Sequence, residues 1–193
     1  MSGLTPSQTV GPFFAYGLTS AGAYSWPDAF SNNLVTSDTL GERIRIEGTV
    51  YDGDGAPVPD AMLEIWQADA QGRYSDPKDT RGSTNSSFRG FGRIGTSAEG
   101  TFAFDTIKPG AVPGPDGVMQ APHVVMAIFA RGMLLQTYTR LYFDGDAANT
   151  TDAVLNLVPK DRRATLIATG NGSGAYRFDI RLQGEQETVF FAV

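Results

Sequence analysis

The sequence predicts an all-β protein, a single-domain β-sandwich with an extended N-terminal arm and little helix. Glycine and proline supply 23 and 11 of the 193 residues, and they interrupt the chain about every ten residues. The segments between them are short and either alternate in polarity or are rich in β-branched residues. Only one segment carries the signals of a helix. Several short strands with turn signals between them are typical of a sandwich.

The predicted strands are recognised by their alternation and by the turns that end them. RIRIEGTVYD (43–52) alternates basic and apolar residues and then meets the turn signal DGDG. HVVMAIFA (123–130) is nearly all apolar, as in a strand covered on both faces, and Arg131-Gly132 after it predicts a hairpin. The seven predicted strands lie within residues 43–52, 60–69, 101–107, 123–130, 134–146, 175–184 and 187–193.

Two other segments complete the predicted architecture. TDAVLNLV (151–158) predicts a helix of two turns, with Thr151 or Asp152 as its N-cap and Pro159 as its stop. Residues 1–42 have no clean period and predict an arm that contacts a partner subunit, while 43–193 form the sandwich. The aromatic residues of the arm would need cover, which a partner could supply.

Composition excludes several classes of function. The chain has no cysteine, which removes disulfides, thiolate metal sites and cysteine nucleophiles. A formal charge of −6 disfavours a nucleic-acid partner. The N-terminus lacks the pattern of a signal peptide, and no apolar run has the length of a membrane span. We expect a soluble, cytoplasmic protein with no membrane partner.

The usual catalytic motifs are missing from the sequence. RGFGR (89–93) is a weak candidate for a nucleotide site because no helical pattern follows it, and no G-x-S-x-G is present. His123 is the only histidine, so a zinc site would lack ligands. Residue patterns alone favour a structural, hydrogen-bonded His123. An acid–base pair formed by His123 and Tyr74 in a stand-alone enzyme remains an alternative.

Four segments read together resemble the intradiol ring-cleaving dioxygenases. They are LEIWQADAQGRYSD (63–76), FRGFGRIGTSAEGTFAFDTIKPG (88–110), APHVVMAIFARG (121–132) and TRLYFDGD (139–146). The resemblance implies a prealbumin- or transthyretin-like sandwich. The opening TPSQTVGPFF and the closing AYRFDIRLQGEQETVFFAV are most similar to the non-catalytic chain of the two-chain members of the family.

The same resemblance implies an incomplete metal site. The family holds a ferric ion with two tyrosines, two histidines and a hydroxide. Tyr74 and His123 match one ligand of each type, whereas Val112 and Val125 stand at the other two positions, and valine has no lone pair to offer. Arg140 replaces an expected glutamine. We therefore expect no metal in this chain and no catalytic residue, with Arg140 filling the vestigial site and pairing with a carboxylate.

The resemblance also implies what the chain contributes instead. A partner subunit of the same family would hold the Fe³⁺ and react an aromatic diol with O₂, and this chain would line part of that pocket. The lining residues carried over are Arg131, Thr9, Gly11 and Pro12. Gly11 allows close approach of the backbone, Pro12 stiffens the loop, and Arg131 could attract a ring carboxylate such as that of protocatechuate.

One alternative of another class stays open at this point. A transthyretin-like sandwich could bind a small ligand or a protein without any enzymatic partner.

Overall fold

The computed structural model describes residues 17–19, 31–82, 87–114 and 117–192, which include eleven β-strands, a short α-helix at Ala153–Leu157 and the 3-10 helices Ala147–Thr150 and Arg163–Leu166. The all-β sandwich class is thereby confirmed. No helix among the described residues has the length and apolar character needed to cross a membrane. The strands are β1 (Arg43–Tyr51), β2 (Met62–Trp66), β3 (Phe91–Gly95), β4 (Thr101–Ile107), β5 (Val112–Pro113), β6 (Met119–Gln120), β7 (His123–Phe129), β8 (Thr137–Phe143), β9 (Ile167–Gly170), β10 (Ala175–Arg177) and β11 (Ile180–Arg181).

The strands form two groups that one strand connects. β3, β2, β7 and β8 lie side by side in that order, and all three pairings are antiparallel. β1 carries β4 on one edge and both β10 and β11 on the other. β9 pairs with β8 in parallel and with β10 in the antiparallel sense, so it joins the two groups into one nearly closed sheet.

A single large core fills the space between the two groups. Apolar side chains at every second position of β1 and β4 meet those of β2, β7 and β8, as the period of two in a strand requires. Burial of such side chains is the main stabilising term in a chain of this length. The central members of this core are Ile44, Ile46, Leu63, Ile65, Phe102, Phe104, Val124, Met126, Ile128, Leu141 and Phe143.

The opposite face of β2, β7 and β8 points away from this core and carries the polar residues singled out in the sequence. Because Val124 and Met126 face the core, the alternate residues His123 and Val125 must lie on the outer face. A smaller apolar cluster covers part of that face, and its buried members are Ala121, Tyr142, Leu155, Val158 and Leu166.

The helix predicted within 151–158 is observed as α1 (Ala153–Leu157). Of the two N-cap candidates the structure selects Asp152, whose carboxylate accepts a hydrogen bond from the backbone N–H of Leu155 at 2.7 Å. The helix ends at Val158, directly before Pro159, as the sequence predicts.

Several strand predictions need correction. The segment 175–184 is two short strands because β10 and β11 pair with different stretches of β1, and 187–193 contributes only a bridge between Tyr138 and Phe191. The segment RGFGR (89–93) leads into strand β3, so Gly92 is part of a sheet and not of a nucleotide-binding loop. Strands β3, β5, β6 and β9 were not predicted, since each has five residues or fewer and little alternation.

Part of the predicted N-terminal arm lies outside the described residues. In the described stretch 31–42, the backbone N–H of Leu34 donates to the carbonyl of Asp105 at 2.8 Å, and the Leu34 side chain joins the core. This part of the arm therefore runs along β4 of its own sandwich. Contact of the arm with a partner subunit stays a prediction.

Gly48, in the middle of β1, allows the chain to change register. The N–H of Phe178 donates to the carbonyl of Glu47 at 2.8 Å, and the N–H of Thr49 donates to the Asp179 carboxylate at 2.9 Å. The connection from β10 to β11 thus lies directly on β1. A Cβ atom at position 48 would stand 1.9 Å from the carbonyl oxygen of Phe178. Only glycine fits there without a backbone shift.

We predict that Gly48→Ala lowers the free energy of unfolding by about 2–3 kcal/mol, because the β10–β11 connection would have to move away from β1. Gly53→Ala is the matched control, since its added Cβ would meet only the Gln183 side chain at ordinary contact distance, and we expect a change of about 0.5 kcal/mol or less. Urea denaturation of both variants measures this. Equal effects of the two substitutions would contradict the role of Gly48.

Candidate functional site

The outer face of β2, β7 and β8 brings the predicted ligand positions together. In the observed registers Val125 stands between Trp66 on one side and Arg140 on the other, and His123 stands opposite Tyr142. Residues opposite each other in antiparallel strands have side chains on the same face. The five side chains therefore form one patch, which is the position of the vestigial site that the sequence predicts.

Tyr74 closes this patch from the loop that follows β2. Its ring stacks on Trp66 with a centroid separation of 5.9 Å and an interplanar angle of 9°. Its backbone N–H donates to the Asp79 carboxylate at 2.8 Å, which anchors the loop. Burial raises the pKa of the Tyr74 hydroxyl, although the positive charges of Arg140 and Arg81 act in the opposite direction. Burial therefore favours the neutral phenol over the phenolate.

His123 is buried and engaged with its own strand. Its Nδ1–H donates to the backbone carbonyl of Ala121 at 2.8 Å, and its ring lies 5.8 Å from that of Tyr142. Burial lowers the pKa of the imidazole, and the guanidinium of Arg140 lowers it further. The histidine is thus a neutral, hydrogen-bonded residue inside the patch.

Arg140 supplies the positive charge of the patch, and its hydrogen-bond partners among the described residues are neutral side chains. Its Nη1 donates to Gln120 Oε1 at 2.6 Å and approaches Tyr142 Oη at 3.5 Å. Among the described residues no carboxylate forms an ion pair with it, and the expected pairing with a carboxylate stays a prediction. The nearest acid in this network is Asp152, which accepts the Tyr142 hydroxyl at 3.0 Å. Tyr142 thus lies between the cation and the acid.

Asp152 is itself fully buried and its oxygens are occupied. Besides the hydroxyl of Tyr142 and the N–H of Leu155, it accepts the N–H of Ala121 at 2.8 Å. Three donors satisfy the carboxylate, and its link to Arg140 runs through the Tyr142 hydroxyl. The carboxylate therefore ties β8, the start of β7 and α1 together under the patch.

A ferric ion does not fit the residues of this patch. Val112 in β5 stands opposite Gln120 in β6, so it lies beside the Arg140 contact and has no donor atom, and Val125 has none either. Only Tyr74 and His123 keep donor atoms, so two of the four implied ligand positions are empty of donors. The guanidinium of Arg140 lies close enough to shift both of their pKa values, and it would repel a trivalent cation.

Arg131 lies at the opposite end of β7. Six residue steps separate His123 from Phe129, which is about 20 Å of strand, and Arg131 lies beyond that end. Its side chain is 63% exposed, and its Nε contacts both oxygens of Asp60, at 2.9 and 2.8 Å. An arginine so far from the vestigial site serves a different location. The other predicted lining residues, Thr9, Gly11 and Pro12, lie outside the described residues.

Exposed leucines accompany Arg131 at this end of the sandwich. Leu134 and Leu135, in the turn between β7 and β8, are 68% and 66% exposed. These two leucines add exposed apolar surface to this end of the sandwich, which another subunit could cover.

The residues that sequence reasoning missed are partners rather than ligands. Asp60 contacts the predicted residue Arg131. Tyr142 contacts the predicted residues His123 and Arg140, and Asp152 contacts Tyr142. Asp60 could have been found from the pairing of β2 with β7. The register that sets Met62 opposite Phe129 sets Asp60 opposite Arg131 when it is extended by two residues.

We predict that the stabilising contribution of His123 depends on pH. The folded state lowers the pKa of His123 below its ordinary value near 6.5. Below that pH the imidazole is therefore protonated in the unfolded chain but stays neutral in the folded chain, which favours unfolding. This contribution is complete above that value and is lost as the pH falls below it. Since His123 is the only histidine, the difference in unfolding free energy between the wild type and His123→Gln isolates the effect. We expect that difference to shrink from pH 7.5 to pH 5.5, and a constant difference would contradict it.

Comparisons with known proteins agree with this geometry. The family model described as dioxygenase matches residues 19–184. The protocatechuate 3,4-dioxygenase alpha chain of Burkholderia cepacia is 44% identical over 197 residues, which cover 98% of this chain and 97% of that protein. The protocatechuate 3,4-dioxygenase beta chain of the same organism is 34% identical over 172 residues, covering 83% and 73%.

A solved structure supports the same assignment. The dioxygenase domain of a dioxygenase carbohydrate-binding protein fusion from Streptomyces sp. SirexAA-E has a TM-score of 0.62 and 31% identity, and the match covers 93% of this chain and 98% of that domain. The chain therefore belongs to the dioxygenase family whose motifs its sequence resembles, that of the intradiol ring-cleaving enzymes.

Proposed function

We propose that this chain is the iron-free alpha subunit of a protocatechuate 3,4-dioxygenase and forms part of the active-site wall of a ferric beta subunit. The enzyme would cleave protocatechuate with O₂ between its two hydroxylated carbons to give 3-carboxy-cis,cis-muconate. The observation that carries the proposal is the separation of two sites on β7. The vestigial metal site at His123 has lost two donors and gained a guanidinium, while Arg131, at the far end, is exposed.

The likeness to both chains of the relative supports a two-chain enzyme. The chain resembles the alpha chain over almost its whole length and the beta chain less closely. A chain without a complete ligand set would need a partner to hold the Fe³⁺, and we infer that this partner is a beta-type subunit. We also infer a cytoplasmic location.

Arg131 would act on the substrate through its charge. Protocatechuate carries a ring carboxylate that catechol lacks, and a guanidinium binds a carboxylate through two parallel hydrogen bonds. The exposed Leu134 and Leu135 support a partner surface on this side. The loop with Thr9, Gly11 and Pro12 would complete the wall, with Gly11 allowing close approach to the ligand. The ferric ion of the beta subunit would supply the activation of the diol toward O₂.

We predict that the isolated chain binds no stoichiometric iron. Two valines at ligand positions and the charge of Arg140 both disfavour Fe³⁺. Metal analysis after incubation with ferric iron, together with the absence of the visible tyrosinate-to-iron absorption, checks this. The enzyme assembled with its beta chain is the positive control. One ferric ion per isolated chain, together with dioxygenase turnover by that chain, would contradict the proposal.

We also predict that Arg131→Ala, in the enzyme assembled with its beta chain, raises KM for protocatechuate much more than for catechol. Loss of a charge-assisted hydrogen bond is worth about 1.5–3 kcal/mol, or roughly 10- to 150-fold. Steady-state kinetics with both substrates measure the ratio. An equal effect on the two substrates would mean that Arg131 does not serve the carboxylate.

A further inference from the structure

Asp60 is the residue that holds Arg131, and its place follows from the sheet. It precedes β2 at the point where the register of β2 and β7 sets it opposite Arg131. Both oxygens of Asp60 contact Nε of Arg131, at 2.9 and 2.8 Å. The guanidinium has no other hydrogen bond to a described residue. Its Nη1 and Nη2 make no hydrogen bond to any residue of the described ranges, and they are the donors that a carboxylate ligand would use.

The backbone around Asp60 is fixed more firmly than that around Arg131. The N–H of Ala61 donates to Thr96 Oγ1 at 3.0 Å, and that hydroxyl donates to the carbonyl of Val58 at 2.7 Å. The N–H of Thr96 returns to the carbonyl of Ala61 at 2.8 Å. Pro59 restricts the same segment further. Arg131, in contrast, lies in an exposed turn before Gly132, whose φ is +78°.

The contact selects one edge of the guanidinium. A carboxylate can bind arginine through Nε and one Nη, or end-on through Nη1 and Nη2. Since Asp60 takes the Nε position, an incoming carboxylate is directed to the end-on edge. A long, exposed side chain that is already held loses less conformational entropy when it binds.

We propose that Asp60 is a positioning residue that determines specificity for carboxylated catechols by fixing the orientation of Arg131. The inference rests on the proposed function, because Arg131 must face the partner's substrate pocket for Asp60 to matter. Asp60 itself does not touch the substrate. The negative charge of Asp60 also weakens the attraction of Arg131 for an anion. If this charge effect dominated, removing the charge would lower KM for protocatechuate, and that outcome would contradict the proposal.

The test uses Asp60→Asn and Asp60→Ser in the enzyme assembled with its beta chain, with KM and kcat measured for protocatechuate and for catechol. On the scale of an exposed ion pair, we expect KM for protocatechuate to rise about two- to fivefold. KM for catechol and kcat for both substrates should stay within about twofold. Added to Arg131→Ala, neither substitution should change KM for protocatechuate any further.

Glu47→Gln is the matched control. It removes the same charge from another exposed ion pair, with Arg45 on β1, and should change neither KM. The thermal unfolding midpoint and the assembly state of each variant exclude a general defect, and the second Asp60 variant keeps the test valid if one fails to assemble.

The outcomes separate the two claims. A substrate-selective effect of Arg131→Ala with no effect of the Asp60 variants, or with a fall in KM for protocatechuate, overturns the role of Asp60 alone. Equal rises for catechol and protocatechuate in the Asp60 variants overturn it as well. An unselective Arg131→Ala overturns the proposed role of Arg131 and this inference together, whereas the proposed function as a whole is tested by the iron content of the isolated chain.

Discussion

The pairing of β7 with its two neighbours is the constraint on which both sites of this chain depend. With β8 it sets Val125 opposite Arg140, and with β2 it sets Trp66 opposite Val125 and, beyond the strand, Asp60 opposite Arg131. A slip of one residue would send the outer-face residues into the core, at a cost that the buried Val124 and Met126 make prohibitive. The apolar inner face of β7 thus holds the polar outer face in register.

Burial and charge together explain why the vestigial patch is stable without a metal. Burial favours the neutral forms of both the Tyr74 hydroxyl and the His123 ring. The charge of Arg140 is balanced by dipoles, those of the Gln120 amide and the Tyr142 hydroxyl, and the latter leads on to Asp152. A polar network whose members are satisfied can be buried without a large penalty, and it fixes β6, β8 and α1 relative to each other.

The Arg131–Asp60 pair obeys different physics because it lies in water. An exposed ion pair contributes little to stability, since solvent screens it and its side chains lose entropy. The energetic contribution of this ion pair would change if another subunit covered it. A lower dielectric strengthens the attraction between the two charges and raises the cost of leaving either of them unpaired. The same contact can therefore be nearly neutral for folding and still matter for recognition.

The sequence by itself determined the long elements and the chemistry that the site has lost. Alternation along β1 and β4, the apolar run of β7 and the cap of α1 are local signals. Valine at positions 112 and 125, where the resemblance implies metal ligands, has no donor atom in any fold. Only the tertiary structure decided which groups meet. The break between β10 and β11, the contact of Arg140 with Gln120 and that of Arg131 with Asp60, 71 residues apart, all follow from strand register. Register is set by packing over the whole sheet, and a local pattern in the chain carries no record of it.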